Sequence, residues 1–369
     1  MMDTNGFWDT LSMFESRDFV ALWYKNKHSR ELNTGGCQAI TTCFSQSREY
    51  FEAAASAGIS VRPLLLYYGV LSMSRGVILL CDKCKKEESL KPSHGIEAFD
   101  WGNTLSGSLN KILDIQIKAT NGTFSEFANA IGNVQTTGWT VNRHPNFYKA
   151  NFLAPKWLND SSYITLDDLL ARDPRFLGLY SRTTGRSSKV HLGLLNAKDS
   201  SISVSIYSNF SSDDDVRKRF GQPAERPVTL RDLTASPKIL STIFKVPERN
   251  TDELRTELPL TQYFHGNGGY SVIPMDGLNI LEKEWPHEKN IAENRTFIIE
   301  DFPNGDRLSE ILRTFLLSYI LGMIVRYYPS RWMALLRNEK GDVAQPCLRA
   351  ISKVVAEDFP RLVVEILVR

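Results

Sequence analysis

The sequence predicts an α+β fold in which helical N- and C-terminal regions pack together, around or beside a strand-rich middle region. Three observations carry that expectation. Apolar residues recur at helical spacing up to Leu80, and they do so again from Leu308 onward. Between those stretches the pattern changes to short alternating runs. The runs are bounded by Gly, Asn and Pro, which punctuate strands. The chain divides accordingly into a helical region over residues 1–99, a mixed, strand-rich region over 100–304, and a helical region over 305–369. The last is expected to pack on the first.

The first helix is read from DTLSMFESRDFVALWYKNK, where Leu11, Phe14, Phe19, Leu22 and Trp23 lie near helical spacing. The second runs through CQAITTCFSQSREYFEAAASAG, with Ile40, Phe44, Tyr50 (or Phe51) and Ala54 at helical spacing. Its alanines favour helix and Gly58 stops it. In RPLLLYYGVLSMSRGVILL, Pro63 suits a first helical turn. The run after it is apolar on almost every side, so this helix is expected to be central and buried.

Residues 82–99 form a polar connector containing Pro92, His94 and Gly95. KILDIQIKAT alternates like a strand, and GTFSEFANAIGN reads as a turn and short helix. Residues 142–160 give no periodic signal. Thr165-Leu166-Asp167-Asp168-Leu169 is echoed by Thr229-Leu230-Arg231-Asp232-Leu233, each a short helix that its threonine can cap. SISVSIYSNF places Ile202, Val204 and Ile206 on one face and is the clearest half-buried strand. FHGNGGYSVIPMDG and RTFIIEDF read as further strands with glycine-rich turns.

Helix then returns. Leu308, Ile311, Leu312, Phe315, Leu316, Tyr319 and Met323 form one stripe, and Pro329 ends or kinks it. PSRWMALLRN and PCLRAISKVVAEDFPRLVVEILV supply the closing helices.

Of the 369 residues, 42% are hydrophobic, which is ample for a buried core and excludes a disordered chain. The net charge of +2, with both signs interspersed, excludes a strongly basic nucleic-acid or lipid binder driven by long-range charge. The N-terminus lacks the basic and apolar segments of a secretion signal. The apolar run from Phe315 to Val325 is shorter than the roughly 20 residues a membrane span needs. No membrane association is expected. Five cysteines, an odd number, suit a reducing compartment with free thiols. The expected location is cytoplasmic.

RPLLLYYGVLSMSRGVILL, the downstream Ser93-His94-Gly95 and SYILGMIVRYYPSRW resemble the pattern of the YaaC-like proteins. In that family an aromatic helix precedes a His-Gly step, and an RYxPxxW segment lies near the C-terminus. The TLxDL element with its following proline is similar to the family's middle region. The resemblance spans roughly residues 45 to 335. It implies a prokaryotic cytoplasmic protein, and no catalytic residues come with it.

Candidate chemistry centres on His94. A loop histidine on a rigid scaffold can serve as a general base or a phosphate contact, or its ring can tie the loop to a carbonyl. Arg75 and Arg326 border apolar helices and supply the charge that a phosphate-handling catalytic group with His94 would need. Arg326, just after an apolar helix, is expected to be a buried charge with a specific partner. Tyr67, Tyr68, Tyr327, Arg331 and Trp332 are candidate contacts for nucleic acid or a protein partner, since interleaved arginines and aromatics stack on bases and reach phosphates. The competing reading packs Trp332 in the core at a helix end, and the area an aromatic buries favours it.

Other features carry less. Cys81 and Cys84 form a CxxC, but no second pair completes a zinc site and the motif follows a helix rather than opening one. No metal and no cofactor are expected. Arg186 and His191 match the R-x4-H spacing of HEPN-type ribonucleases, in a segment that reads as turn and strand. His265-Gly266-Asn267-Gly268-Gly269 is a hairpin turn rather than a phosphate loop, since no GK[ST] follows. Its HG step lacks a G-x-S-x-G elbow. Asp213-Asp214-Asp215 beside Arg217 reads as a solvated helix start.

No complete catalytic signature is present. The expectation is therefore a scaffold or accessory protein that binds a protein partner or nucleic acid, with a homo-oligomer open to it. The alternative is a nuclease or other phosphate-handling enzyme using a loop histidine with an arginine, of which a HEPN-type ribonuclease is the most concrete version.

Overall fold

The computed structural model of the chain describes residues 4–107, 109–141, 144–151, 162–198, 295–337 and 342–368. It also describes five strands between 201 and 290. Helices stand at both ends, as an α+β chain requires. The first are α1 (Thr4–Ser12), α2 (Arg17–His28), α3 (Thr34–Ser56) and α4 (Arg62–Cys81). Asn33 caps α3 by accepting from the Gly36 amide, and Pro63 opens α4. α3 packs along α4 at two glycines. A β-carbon on Gly69 would stand 2.7 Å from the Phe51 ring, and one on Gly76 would stand 2.8 Å from the Phe44 ring.

The connector after α4 leads to β1 (Ile96–Phe99), α5 (Trp101–Gly107), β2 (Gln116–Ala119) and α6 (Thr123–Ile131). The expected strand over KILDIQIKAT is only half realised, because Leu109–Asp114 is a 3-10 turn that buries Ile112 and Leu113. A hairpin of β3 (Val134–Val141) and β4 (His144–Asn151) follows, partly in the segment with no periodic signal. β5 (Ile164–Thr165) then joins β1 and β2 in a three-stranded antiparallel sheet of order β1-β2-β5. Thr165 caps α7 (Leu166–Ala171). Its hydroxyl accepts from the Asp168 amide, and Asp168 Oδ2 accepts from the Thr165 amide. In the echo, Thr229 instead ends a strand, and Leu230 to Leu233 lie outside the described residues, as do Asp213 to Asp215.

After α8 (Leu177–Thr184) come β6 (Val190–Lys198), β7 (Ser201–Tyr207), β8 (Arg226–Thr229), β9 (Pro259–His265), β10 (Gly268–Pro274), β11 (His287–Asn290) and β12 (Arg295–Ile299). They form an antiparallel sheet of order β11-β12-β6-β7-β10-β9-β8. The SISVSIY strand and the two glycine-flanked strands fall where the alternation placed them. His265 pairs with Gly268 in the antiparallel β9–β10 pair, and Gly266 and Asn267 between them lie outside the described residues.

The chain closes with α9 (Glu310–Tyr327), α10 (Pro329–Leu336) and α11 (Gln345–Val368). Pro329 sets a bend of 109° between α9 and α10. α9 is more than the amphipathic stripe expected of it: every residue from Ile311 to Val325 is buried. α4 lies against α3, α6, α9 and α11. One core runs from Leu11 through Trp101 and Phe127 to Leu367. The indole of Trp23 donates to the Leu367 carbonyl at 3.2 Å, so the two ends of the chain meet. By length and composition α4 could cross a membrane, as could α9 taken with α10; in this fold most of α4 is covered by protein.

Candidate functional site

The apolar helices α4 and α9 cross where Gly322 faces Tyr67. A β-carbon at Gly322 would stand 2.7 Å from that of Tyr67. The crossing sets Phe315, Tyr319, Gly322 and Arg326, spaced at helical turns, along the same side as Tyr67 and Tyr68.

The Ser93-His94-Gly95 loop is held against this crossing by its own backbone. The Ser93 and His94 carbonyls accept from the Thr123 and Phe124 amides, each at 3.0 Å, and so cap the start of α6. Gly95 has φ +77°, and a β-carbon there would lie 2.7 Å from the Phe124 nitrogen, so the close approach needs glycine. Just beyond, the Tyr319 hydroxyl donates to the Ile96 carbonyl at 3.0 Å. His94 therefore sits on a loop anchored at both sides.

Its ring meets Tyr67. The Tyr67 hydroxyl lies 2.6 Å from His94 Nδ1, while Nε2 has no partner among the described residues. Tyr67 is fully buried, and burial drives its phenol far above the usual range. The phenol therefore keeps its proton, and with Nδ1 as its one hydrogen-bond partner among the described residues the buried hydroxyl is assigned as the donor, which puts the ring hydrogen on Nε2. Burial, helped by the nearby Arg326 guanidinium, also holds the His94 pKa below its ordinary value. The result is a neutral imidazole offering one N–H.

The next residue makes the second link. Arg326 donates to the Tyr68 hydroxyl at 2.9 Å, and its guanidinium lies 5.1 Å from the Tyr327 ring centre. Tyr50 stacks on Tyr68 with centroids 5.7 Å apart. Arg326 is exposed, contrary to the expectation of a buried charge, and has no carboxylate partner among the described residues. The buried cation of α9 lies at its other end: Arg313 is 1% exposed and faces Asp173 at 3.6 Å.

The other sequence candidates separate. Tyr67 and Trp332 are buried, so neither offers a ring to a partner. The Trp332 indole donates to the Ile59 carbonyl at 3.3 Å, which makes it the core anchor of α10. Arg331 is exposed and reaches the Ser106 carbonyl at 3.4 Å. Arg75 lies about two turns further along α4, beside Cys43 rather than His94. Arg186 pairs with Asp167 at 2.8 Å and Asp114 at 3.7 Å, at the turn after α8. Cys81 is half-buried and burial pushes its thiol up to about 11, while Cys84 is exposed. Among the described residues no group of His, Cys, Asp and Glu could hold a metal ion.

The sequence reading placed Tyr319 and Tyr50 on apolar helix faces without assigning them to the site, and it missed the close approach of Gly95 to Gly122, where an added β-carbon would lie 2.8 Å from the Gly122 carbonyl carbon. Tyr319 was legible in principle, because a tyrosine inside an otherwise apolar helix needs a hydroxyl partner. A sequence model of the YaaC-like proteins matches residues 12–367. No curated protein and no solved structure matches the chain.

Proposed function

The chain belongs to the YaaC-like protein family, and from that premise we propose that it is an accessory protein that binds single-stranded nucleic acid on the Tyr–His–Arg face where α4 crosses α9. Arg326 is the observation that carries this reading. Arg175, Arg313 and Arg361 face carboxylates, whereas Arg326 is exposed and among the described residues contacts tyrosines. A guanidinium without a carboxylate keeps its charge for an incoming phosphate. Tyr327 is 60% exposed beside it, and stacking a base on such a ring contributes about 1–3 kcal/mol. His94 adds an uncharged N–H donor.

The nuclease reading draws support from the meeting of His94 with Arg326 around Tyr67 and Tyr68. It asks the imidazole to accept a proton, and the Tyr67 hydroxyl occupies the nitrogen that would accept it.

The test is fluorescence anisotropy of the full-length protein with a 3′-labelled uridine oligonucleotide of about 12 residues, a length in the range of single-strand sites. Binding should weaken as salt rises. Arg326→Ala should weaken it by about tenfold, equivalent to about 1.4 kcal/mol. An unbound oligonucleotide, or an Arg326→Ala protein that binds like wild type, would reject the reading. Cleavage of the probe that disappears in His94→Ala would favour the nuclease.

A further inference from the structure

We infer that this face selects a singly charged phosphodiester over a terminal phosphomonoester, with Tyr67 enforcing the choice through His94. The inference rests on the nucleic-acid reading above and names which phosphate of the strand is held.

Among the described residues, the cation found to act on the His94 ring is the Arg326 guanidinium of α9. From β1 comes the exposed Glu97 carboxylate, close enough to act on Tyr319. Tyr67 and Tyr68 of α4 and Tyr319 and Tyr327 of α9 bring hydroxyls. Lys85, the cation of the preceding connector with a described partner, is held 2.7 Å from Glu126.

His94 would be the natural second cation, and the geometry withholds it. With Tyr67 assigned as the donor, a second proton on the imidazole must sit on Nδ1, 2.6 Å from the Tyr67 hydroxyl oxygen. Protonation would turn that hydroxyl into an acceptor and strand its hydrogen in a fully buried position. His94 therefore offers hydrogen bonding without charge. A phosphodiester carries one negative charge, which Arg326 alone balances. A phosphomonoester carries about 1.5 to 2 at neutral pH, since its second pKa is about 6. Its extra charge would meet a neutral ring and the Glu97 carboxylate.

The test is competition against the same labelled oligonucleotide, using uridine 5′-monophosphate and its methyl ester. The two share base, sugar and phosphate and differ by the ester methyl, which removes the second ionisation. At about pH 7.5 the methyl ester should displace the probe at about tenfold lower concentration. The gap should close toward pH 5.5, where the monophosphate carries a single charge. Tyr67→Phe, a buried change whose folding is checked by thermal melting, should narrow the gap at about pH 6.5 by letting His94 take a proton. If the monophosphate competes as well as the ester at pH 7.5, or if the gap ignores pH, the selectivity is overturned while the binding reading stands. If the labelled oligonucleotide itself does not bind, both fall.

Discussion

The Tyr67 hydroxyl oxygen lies 2.6 Å from Nδ1 of His94, joining the second turn of a largely buried helix to a loop residue 27 positions downstream. Removing that hydroxyl should change the histidine more than the fold. In Tyr67→Phe, Nδ1 is free to take a proton, so the His94 pKa should rise toward its ordinary value. Nitrogen-15 NMR of labelled histidine reads both the tautomer and the titration, with His94→Ala identifying the signal. The stability cost should be about 1 kcal/mol, as for one hydrogen bond. An unmoved titration would show that Tyr67 does not govern the ring.

His94 should also make the protein acid-sensitive. Its folded pKa is depressed first by burial and then by Arg326. The unfolded chain therefore binds the proton first, and stability falls as pH drops below the unfolded value of about 6.5. The loss stops growing once pH passes the folded pKa. Urea unfolding between about pH 5 and 8 measures the slope, and His94→Gln should flatten it. Arg326→Ala should flatten it in part while changing stability little at neutral pH, because the side chain is exposed.

The crossing of α4 and α9 should be intolerant of a methyl group. Gly322→Ala would place a carbon 2.7 Å from the Tyr67 β-carbon. Alanine favours helix over glycine by about 1 kcal/mol. Overpacking at a buried contact costs about 1–3 kcal/mol, so the net effect should be destabilising, with His94 NMR signals shifted as Tyr67 moves. A Gly322→Ala protein as stable as wild type would contradict the close approach.

A second buried network should govern stability without touching the site. Asp173 is fully buried, accepts from Arg175 at 2.5 Å and faces Arg313 at 3.6 Å. Arg175 reaches on to Asp358 and Glu310, and Arg361 joins the same acids. Despite burial, the arginines hold the Asp173 carboxyl below its usual range. Its stabilisation is therefore present above the unfolded pKa of about 3.9 and lost as pH falls through the folded value. Asp173→Ala would leave the buried Arg313 and the half-buried Arg175 short of a partner and should cost about 3–5 kcal/mol in urea unfolding. Binding at Arg326 should survive in whatever fraction stays folded.

The CxxC cysteines should differ in reactivity. Burial pushes the Cys81 thiol up to about 11, and Cys84 is exposed. Iodoacetamide at about pH 8 should label Cys84 first, since the thiolate is the nucleophile. Peptide mass mapping checks the order.

Much of the fold was readable because periodicity follows from geometry. The apolar run around α4 and the stripe of α9 could only be helices, and SISVSIY could only be a strand. The reading failed where local pattern and tertiary packing disagree. Ile112 and Leu113 alternate with polar residues like a strand, yet both are buried from a 3-10 turn. Arg313 and Arg326 look alike as charges bounding one apolar helix. The difference is that Asp173 waits near the first, while the second has tyrosines and a neutral histidine near it and no carboxylate partner among the described residues.

By itself the sequence determined the helical ends, the central burial of the Pro63 helix, the capped turn at Thr165 and the loop placement of His94. Each follows from residues close together in the chain. Only the tertiary structure decided which tyrosine is a buried anchor, which arginine keeps its charge for solvent, and that His94, Tyr67, Tyr68 and Arg326 meet. Those relations depend on where two helices cross, and that crossing is set by Gly322 against Tyr67, residues 255 positions apart (322 less 67). A contact of that separation leaves no periodic trace in a sequence.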